Sequence, residues 1–215
     1  MNNLFEFDKN FEKPFLIGTD EAGRGPAAGG VFAAAVFINN FEIEKELSKL
    51  NDSKKLSAKT REELFDIILN NTINSVVCVE VDEIEKYNIL NCSLKAMKLS
   101  CENVISQIKD FSSENSITIV DGNKLIKNYT YPQQYIIKGD AKSSSIAASS
   151  ILAKVTRDRY MQKLDEEFPQ YDWKNNAGYL TKKHQEAILE YGVTKYHRKS
   201  FLKNLLSQTK QLSLL

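Results

Sequence analysis

Residues 15–32, FLIGTDEAGRGPAAGGVF, carry an apolar run into two adjacent carboxylates, Asp20 and Glu21, and then through a turn containing Gly23, Arg24 and Gly25. FLIGTD has the pattern of a buried strand, and VFAAAVFI beyond the glycines that of its antiparallel partner, joined by a short loop. Two neighbouring acids at a strand tip repel each other, by about 4 kcal/mol at ~4 Å and an effective dielectric of ~20. Either both face water in a glycine-bent turn, or a bound cation reverses the sign of that energy. The stretch alone leaves both open.

The bulk composition narrows the classes. A chain of 215 residues suits one large domain or a domain with an appendage, and 42% hydrophobic with 27% charged residues is ordinary for a soluble globular protein. The net charge of +1 gives no global field towards nucleic acid or membrane, but residues 1–50 carry five Lys/Arg against eight Asp/Glu, whereas residues 174–215 carry eight against two. A basic C-terminal segment fits a polyanion partner or a solvated lysine-rich helix. Cys78, Cys92 and Cys101 are odd in number and form no CxxC pair, which argues against a disulfide framework and a structural zinc. MNNLFEFDKNFEKPF is broken by acids and does not read as a signal peptide. No apolar run approaches the ~20 residues of a membrane span. A cytoplasmic protein is expected.

The remaining periodicities alternate strands and helices. Ser57 is placed to cap a helix over AKTREELFDIILNN, SVVCVEV (75–81) reads as a strand, and Asp82 is placed to cap EIEKYNIL. Leu94, Met97, Cys101, Val104, Ile105 and Ile108 share one face of a helix over 91–111. SITIVDGN reads as a strand ending at Asp121, and YIIKGD as one ending at Asp140. A long helix over SIAASSILAKVTRDRYMQKLDEEF stops before Pro169, TKKHQEAILEYG forms another closed by Gly192, and HRKSFLKNLLSQ has helical character. The class is α/β or α+β around one sheet.

Three strand ends are acidic: Asp20 with Glu21, Asp121, and Asp140. If those strands are parallel neighbours, four carboxylates meet at one sheet edge, as a two-metal phosphoryl-transfer site requires. Oxygen donors of this kind suit Mg²⁺ or Mn²⁺ rather than zinc. Each acid alone is also an ordinary turn former. Two rival motifs are weaker. Gly25 to Gly30 matches the first half of a P-loop, but Val31 and Phe32 stand where Lys and Ser/Thr would bind phosphate. Gly23, Gly25 and Ala28 match GxGxxA, but Pro26, Gly29 and Gly30 disfavour the helix that a dinucleotide needs, and the acids would repel its pyrophosphate.

DEAGRGP closely resembles the signature of the ribonuclease HII (type 2 ribonuclease H) family, and LNDSKKLS (50–57), VDEIEKYNILNCSLKAMKLS (81–100), IVDGN (119–123), KGDAKSSSIAASSILAKVTRDR (138–159), GYLTKKH (178–184) and HRKSF (197–201) resemble its further blocks, in order. Gly30 and Leu180 depart from the usual residues. The resemblance implies an α/β ribonuclease H-like fold: a mixed five-stranded sheet flanked by helices, with a catalytic core over 1–170 and a C-terminal helical segment and tail over 171–215 packed on it as one unit. It implies a metal-dependent endoribonuclease that hydrolyses the RNA strand of RNA–DNA hybrids and nicks duplex DNA 5′ to embedded ribonucleotides. The implied catalytic and metal-binding set is Asp20, Glu21, Asp121 and Asp140, with Mg²⁺ or Mn²⁺. The implied substrate contacts are Gly23, Arg24 and Gly25 at the ribose 2′-hydroxyl and its phosphate, Lys54 and Lys55 at the backbone, and Tyr179 on the sugar. Ser143 to Ser145 are expected to cap the long helix and offer donors to the substrate, Arg157 and Asp158 to form an ion pair, His184 and His197 to be structural, and Trp173 to be core. QLSLL, Gln211–Leu215, resembles a sliding-clamp-binding tail. A monomer is expected.

Overall fold

The computed structural model describes residues 3–212, with side chains described through Ser207. Ser213–Leu215 of the clamp-like tail, and the side chains of Gln211 and Leu212, lie outside the described residues.

The opening stretch forms β1 (Phe15–Ala22) and, after the turn, β2 (Val31–Phe37), paired antiparallel with Asp20 opposite Ala34. β3 (Ile73–Val79) adds antiparallel to β2, while β4 (Ser116–Asp121) and β5 (Gln133–Ile136) run parallel to β1 on its other side. The order β3-β2-β1-β4-β5 is the mixed five-stranded sheet that the resemblance implies.

Every residue of β2 is buried because helices cover both faces. Ala34 and Val36 face one core with Ala147, Ile151 and Leu152 of α5 (Ser144–Glu167) and Leu64 and Ile68 of α2 (Ala58–Asn71). Ala33 and Ala35 face the other, with Met97, Cys101 and Val104 of α4 (Ile89–Ile105). This is the strand period of two, and the small alanines let both helices approach closely. Gly18 has the same origin: a Cβ there would lie 2.3 Å from the carbonyl carbon of Ser145, so α5 can begin against β1 only over a glycine.

The start of α5 corrects one expectation. Ser143 caps the helix by accepting the Ile146 N–H at 3.2 Å. Ser144 Oγ and the Ser145 N–H instead donate to Asp8 of α1 (Asn3–Lys9), at 2.6 and 2.8 Å, and are buried rather than offered to a ligand. Asp82 does not cap either; α3 (Val81–Tyr87) is preceded by Glu80, and Asp82 sits in its first turn. Beyond α5 come the short α6 (Trp173–Asn176), α7 (Lys182–Tyr191) and α8 (Lys203–Leu212). Tyr171, Trp173, Ile188 and Leu202 form a core with Met161 and Leu164 of α5, and Ala27 and Ala28 of the β1–β2 turn insert into it. Among the described residues, no helix is long and apolar enough to cross a membrane.

Candidate functional site

β1 and β4 are parallel neighbours with Thr19 opposite Val120, so Asp20 and Asp121 occupy the next position along the ladder, at one edge of the sheet. A cavity of about 400 Å³ opens there. Asp20, Glu21, Asp121, Gly23, Arg24, Gly25, Lys54 and Tyr179 line it, together with Ser53, Ser150, Lys154 and Arg157. Asp140 and Lys55 are not among its lining residues. β5 ends at Ile136, so Asp140 is not a strand-end residue as expected; it lies in the single 3-10 turn Gly139–Ala141, after Lys138 in the left-handed conformation. It stays beside Asp121, because the Gly139 N–H donates to Asp121 Oδ1 at 2.7 Å. Lys55 is exposed, and its N–H closes a turn on the Asp52 carbonyl at 2.9 Å.

The carboxylates press on one another electrically. Burial, then the charges of Glu21 and Asp121, holds the Asp20 carboxyl well above the usual carboxylate range. Burial also raises Glu21, against the opposing pull of Arg24, whose Nη1 lies 3.1 Å from Glu21 Oε1. Burial, Asp121 and Asp52 raise Asp140. Among the described residues no three His, Cys, Asp or Glu side chains already stand at ligand spacing. The donor set is nonetheless all-oxygen and strained by like charge, which is the chemistry that a hard divalent ion relieves.

The loop at 51–57 docks on this edge residue by residue. Ser53 Oγ is 2.9 Å from Ser150 Oγ, Ser150 lines the cavity beside Asp20, and Asp52 abuts Asp140. Arg61 Nη1 fixes the loop through the carbonyls of Ser53 and Leu56, at 3.0 and 2.6 Å. Asp52, Ser53 and Ser150 were not singled out by sequence, because their pairing spans 88 to 97 residues and leaves no local pattern.

The turn is built for close approach. Gly23 has φ +101°, and among the described residues the N–H groups of Arg24 and Gly25 meet no protein acceptor. Tyr179, half exposed, packs beside Gly25; a Cβ on that glycine would stand 3.2 Å from the ring. The expected Arg157–Asp158 ion pair is absent. Successive helix residues point about 100° apart: Asp158 pairs with Lys154 at 2.6 Å, while Arg157 turns inward to the carbonyls of Ala28, Gly30 and Ala177.

His184 and His197 are buried beside Trp173. The His184 Nδ1–H donates to the Tyr179 carbonyl at 2.9 Å, so its Nε2 must accept, from Trp173 Nε1–H at 3.0 Å and from His197 Nε2–H at 3.2 Å. His197 Nδ1 accepts the Thr194 N–H at 2.9 Å. Both rings are therefore neutral, and burial lowers both, His197 to about 4. His184 thereby ties the backbone of Tyr179 to this core.

A family model described as Ribonuclease HII matches residues 17–204. A ribonuclease HII of Fusobacterium nucleatum is 47% identical over 207 residues, 95% of this chain and 93% of that one. An RNase HII from Archaeoglobus fulgidus, solved in complex with PCNA, superposes with a TM-score of 0.68 at 25% identity, over 86% of this chain and 93% of that one. Bst-RNase HIII, solved in complex with Mn²⁺, superposes with a TM-score of 0.75 at 16% identity, over 95% of this chain and 73% of that one.

Proposed function

The chain belongs to the ribonuclease HII family, and on that premise we propose that it is a metal-dependent endoribonuclease. It hydrolyses the RNA strand of RNA–DNA hybrids and nicks duplex DNA on the 5′ side of an embedded ribonucleotide. The observation that carries this is one cavity lined both by Asp20, Glu21 and Asp121 and by the Gly23-Arg24-Gly25 turn with Tyr179. The first group suits phosphodiester chemistry and the second suits reading a sugar.

Asp20, Glu21, Asp121 and Asp140 would hold divalent ions, Mg²⁺ or Mn²⁺, which supply Lewis acidity at the attacking and leaving oxygens of an in-line displacement. The chain's own groups do the positioning. The free N–H groups of Arg24 and Gly25 face the ribose, whose 2′-hydroxyl distinguishes RNA from DNA. Arg24, held by Glu21, receives the adjacent phosphate. Tyr179 packs on the sugar, and Lys54 and Lys55 contact the backbone. Water adds to phosphorus, the P–O3′ bond breaks, and the products are a 3′-hydroxyl and a 5′-phosphate.

The test is end-mapping on a DNA duplex with one ribonucleotide, beside an all-deoxy control. A single nick 5′ to the ribonucleotide is expected; equal cutting of the control overturns the proposal. Gln211–Leu215 is a second element of the reading, a tail that docks on a sliding clamp. The PCNA complex of the Archaeoglobus relative supports it.

A further inference from the structure

Two buried guanidinium groups hold the turn from beneath, and among the described residues neither forms an ion pair. Arg198 donates Nε to the Gly29 carbonyl at 2.9 Å, Nη1 to those of Pro26 and Arg24 at 2.8 and 3.4 Å, and Nη2 to that of Gly30 at 3.1 Å. Arg157 takes Ala28 and shares Gly30. A buried charge is tolerated only when its donors are satisfied, and here backbone carbonyls do what a carboxylate usually does.

This arrangement has a directional consequence. A peptide unit is planar and trans, so its C=O and N–H point opposite ways. Each carbonyl drawn inward by Arg198 turns the next N–H outward. Pro26 and Ala27 illustrate it: the Pro26 carbonyl accepts from Arg198, and the Ala27 N–H donates the other way, to the Gly178 carbonyl at 2.9 Å. Arg24 and Gly25 repeat the geometry. The Arg24 carbonyl faces Arg198, so the acceptor-free N–H of Gly25 points the opposite way within the same peptide plane, and Gly25 lines the cavity.

We infer that Arg198 is a positioning residue for sugar discrimination, holding the Arg24 carbonyl from 174 residues away in sequence and so aiming the Gly25 N–H at the substrate ribose. The inference rests on the ribonucleotide reading above. Lysine cannot substitute, because a point ammonium has no planar fork to serve four carbonyls at once.

Fluorescence anisotropy in EDTA would compare binding to two duplexes of one sequence, one with a single ribonucleotide and one all-deoxy. Wild type, Arg198→Lys and Ile188→Ala would be measured together. Wild type should prefer the ribonucleotide. Arg198→Lys should lose about tenfold of that preference while all-deoxy affinity holds. Ile188→Ala, a buried residue of the same core, should melt lower yet keep the preference. Undiminished preference in Arg198→Lys overturns the inference alone; no preference in wild type overturns it together with the functional reading. A second measurement needs no variant: the Gly25 amide and Arg198 Nε–H NMR resonances should shift on the ribonucleotide duplex and not on the all-deoxy one. An Arg198 resonance indifferent to the sugar overturns the inference.

Discussion

Gly23 and Arg157 oppose each other across the base of the turn: a Cβ on Gly23 would fall 2.2 Å from Arg157 Nε, and Gly23 itself sits at φ +101°. Gly23→Ala therefore combines left-handed backbone strain with displacement of a buried guanidinium. A loss of about 2–3 kcal/mol is expected, read as a lower thermal midpoint, together with loss of cleavage. Gly25→Ala meets only the half-exposed Tyr179 ring, which can give way. It should melt near wild type yet discriminate poorly between ribose and deoxyribose.

Asp20→Asn and Asp121→Asn separate chemistry from stability. Each removes one of several mutually repelling carboxylates at nearly constant shape. Cleavage should fall by about three orders of magnitude or more, since metal-supplied stabilisation is worth several kcal/mol. Duplex binding should survive, and in EDTA the thermal midpoint should rise or hold. A clear drop in that midpoint would contradict the repulsion argument.

The histidine pair makes stability depend on pH in a defined window. Folded His197 titrates near 4 against an ordinary 6.5, and His184 is lowered in the same direction. Between those values the unfolded chain binds more protons than the folded one. Stability is thus full above pH 6.5 and falls as pH drops towards 4, by up to about 3 kcal/mol from His197. Denaturant melts across that range would show it, and His197→Asn should flatten the slope. The rings packed on the pair are those of Tyr171 and Trp173, its other partners are the Tyr179 carbonyl and Thr194, and none bears a competing charge.

Truncation before Gln211 should abolish binding to a bacterial sliding clamp in surface plasmon resonance and leave cleavage of short duplexes unchanged. Undiminished clamp affinity in the shortened chain would remove the tail from the account.

What the sequence made legible was what short-range pattern encodes. The apolar run 15–20, the glycine-bent turn and the alanine-rich return announced β1 and β2, and acids at Asp20, Glu21 and Asp121 marked the sheet edge. Asp140 was placed beside them for a partly wrong reason: Lys138 in a left-handed turn ends the strand early, and a hydrogen bond from Gly139 restores the proximity. The ion pair that the family resemblance implies for Arg157 and Asp158 does not form, because adjacency on a helix separates side chains. The capture of Asp8 by Ser144, of Ser53 by Ser150 and of the turn's carbonyls by Arg198 spans 97 to 174 residues. Such contacts depend on tertiary approach, for which local periodicity holds no signal.

The central claim is that Asp20, Glu21, Asp121 and Asp140 work by holding divalent cations. Single-turnover cleavage of an RNA–DNA hybrid after exhaustive EDTA treatment, followed by Mg²⁺ or Mn²⁺ titration, tests it most directly. No product in EDTA and saturable recovery with added ion is the result expected. Full turnover in the chelator would contradict the account.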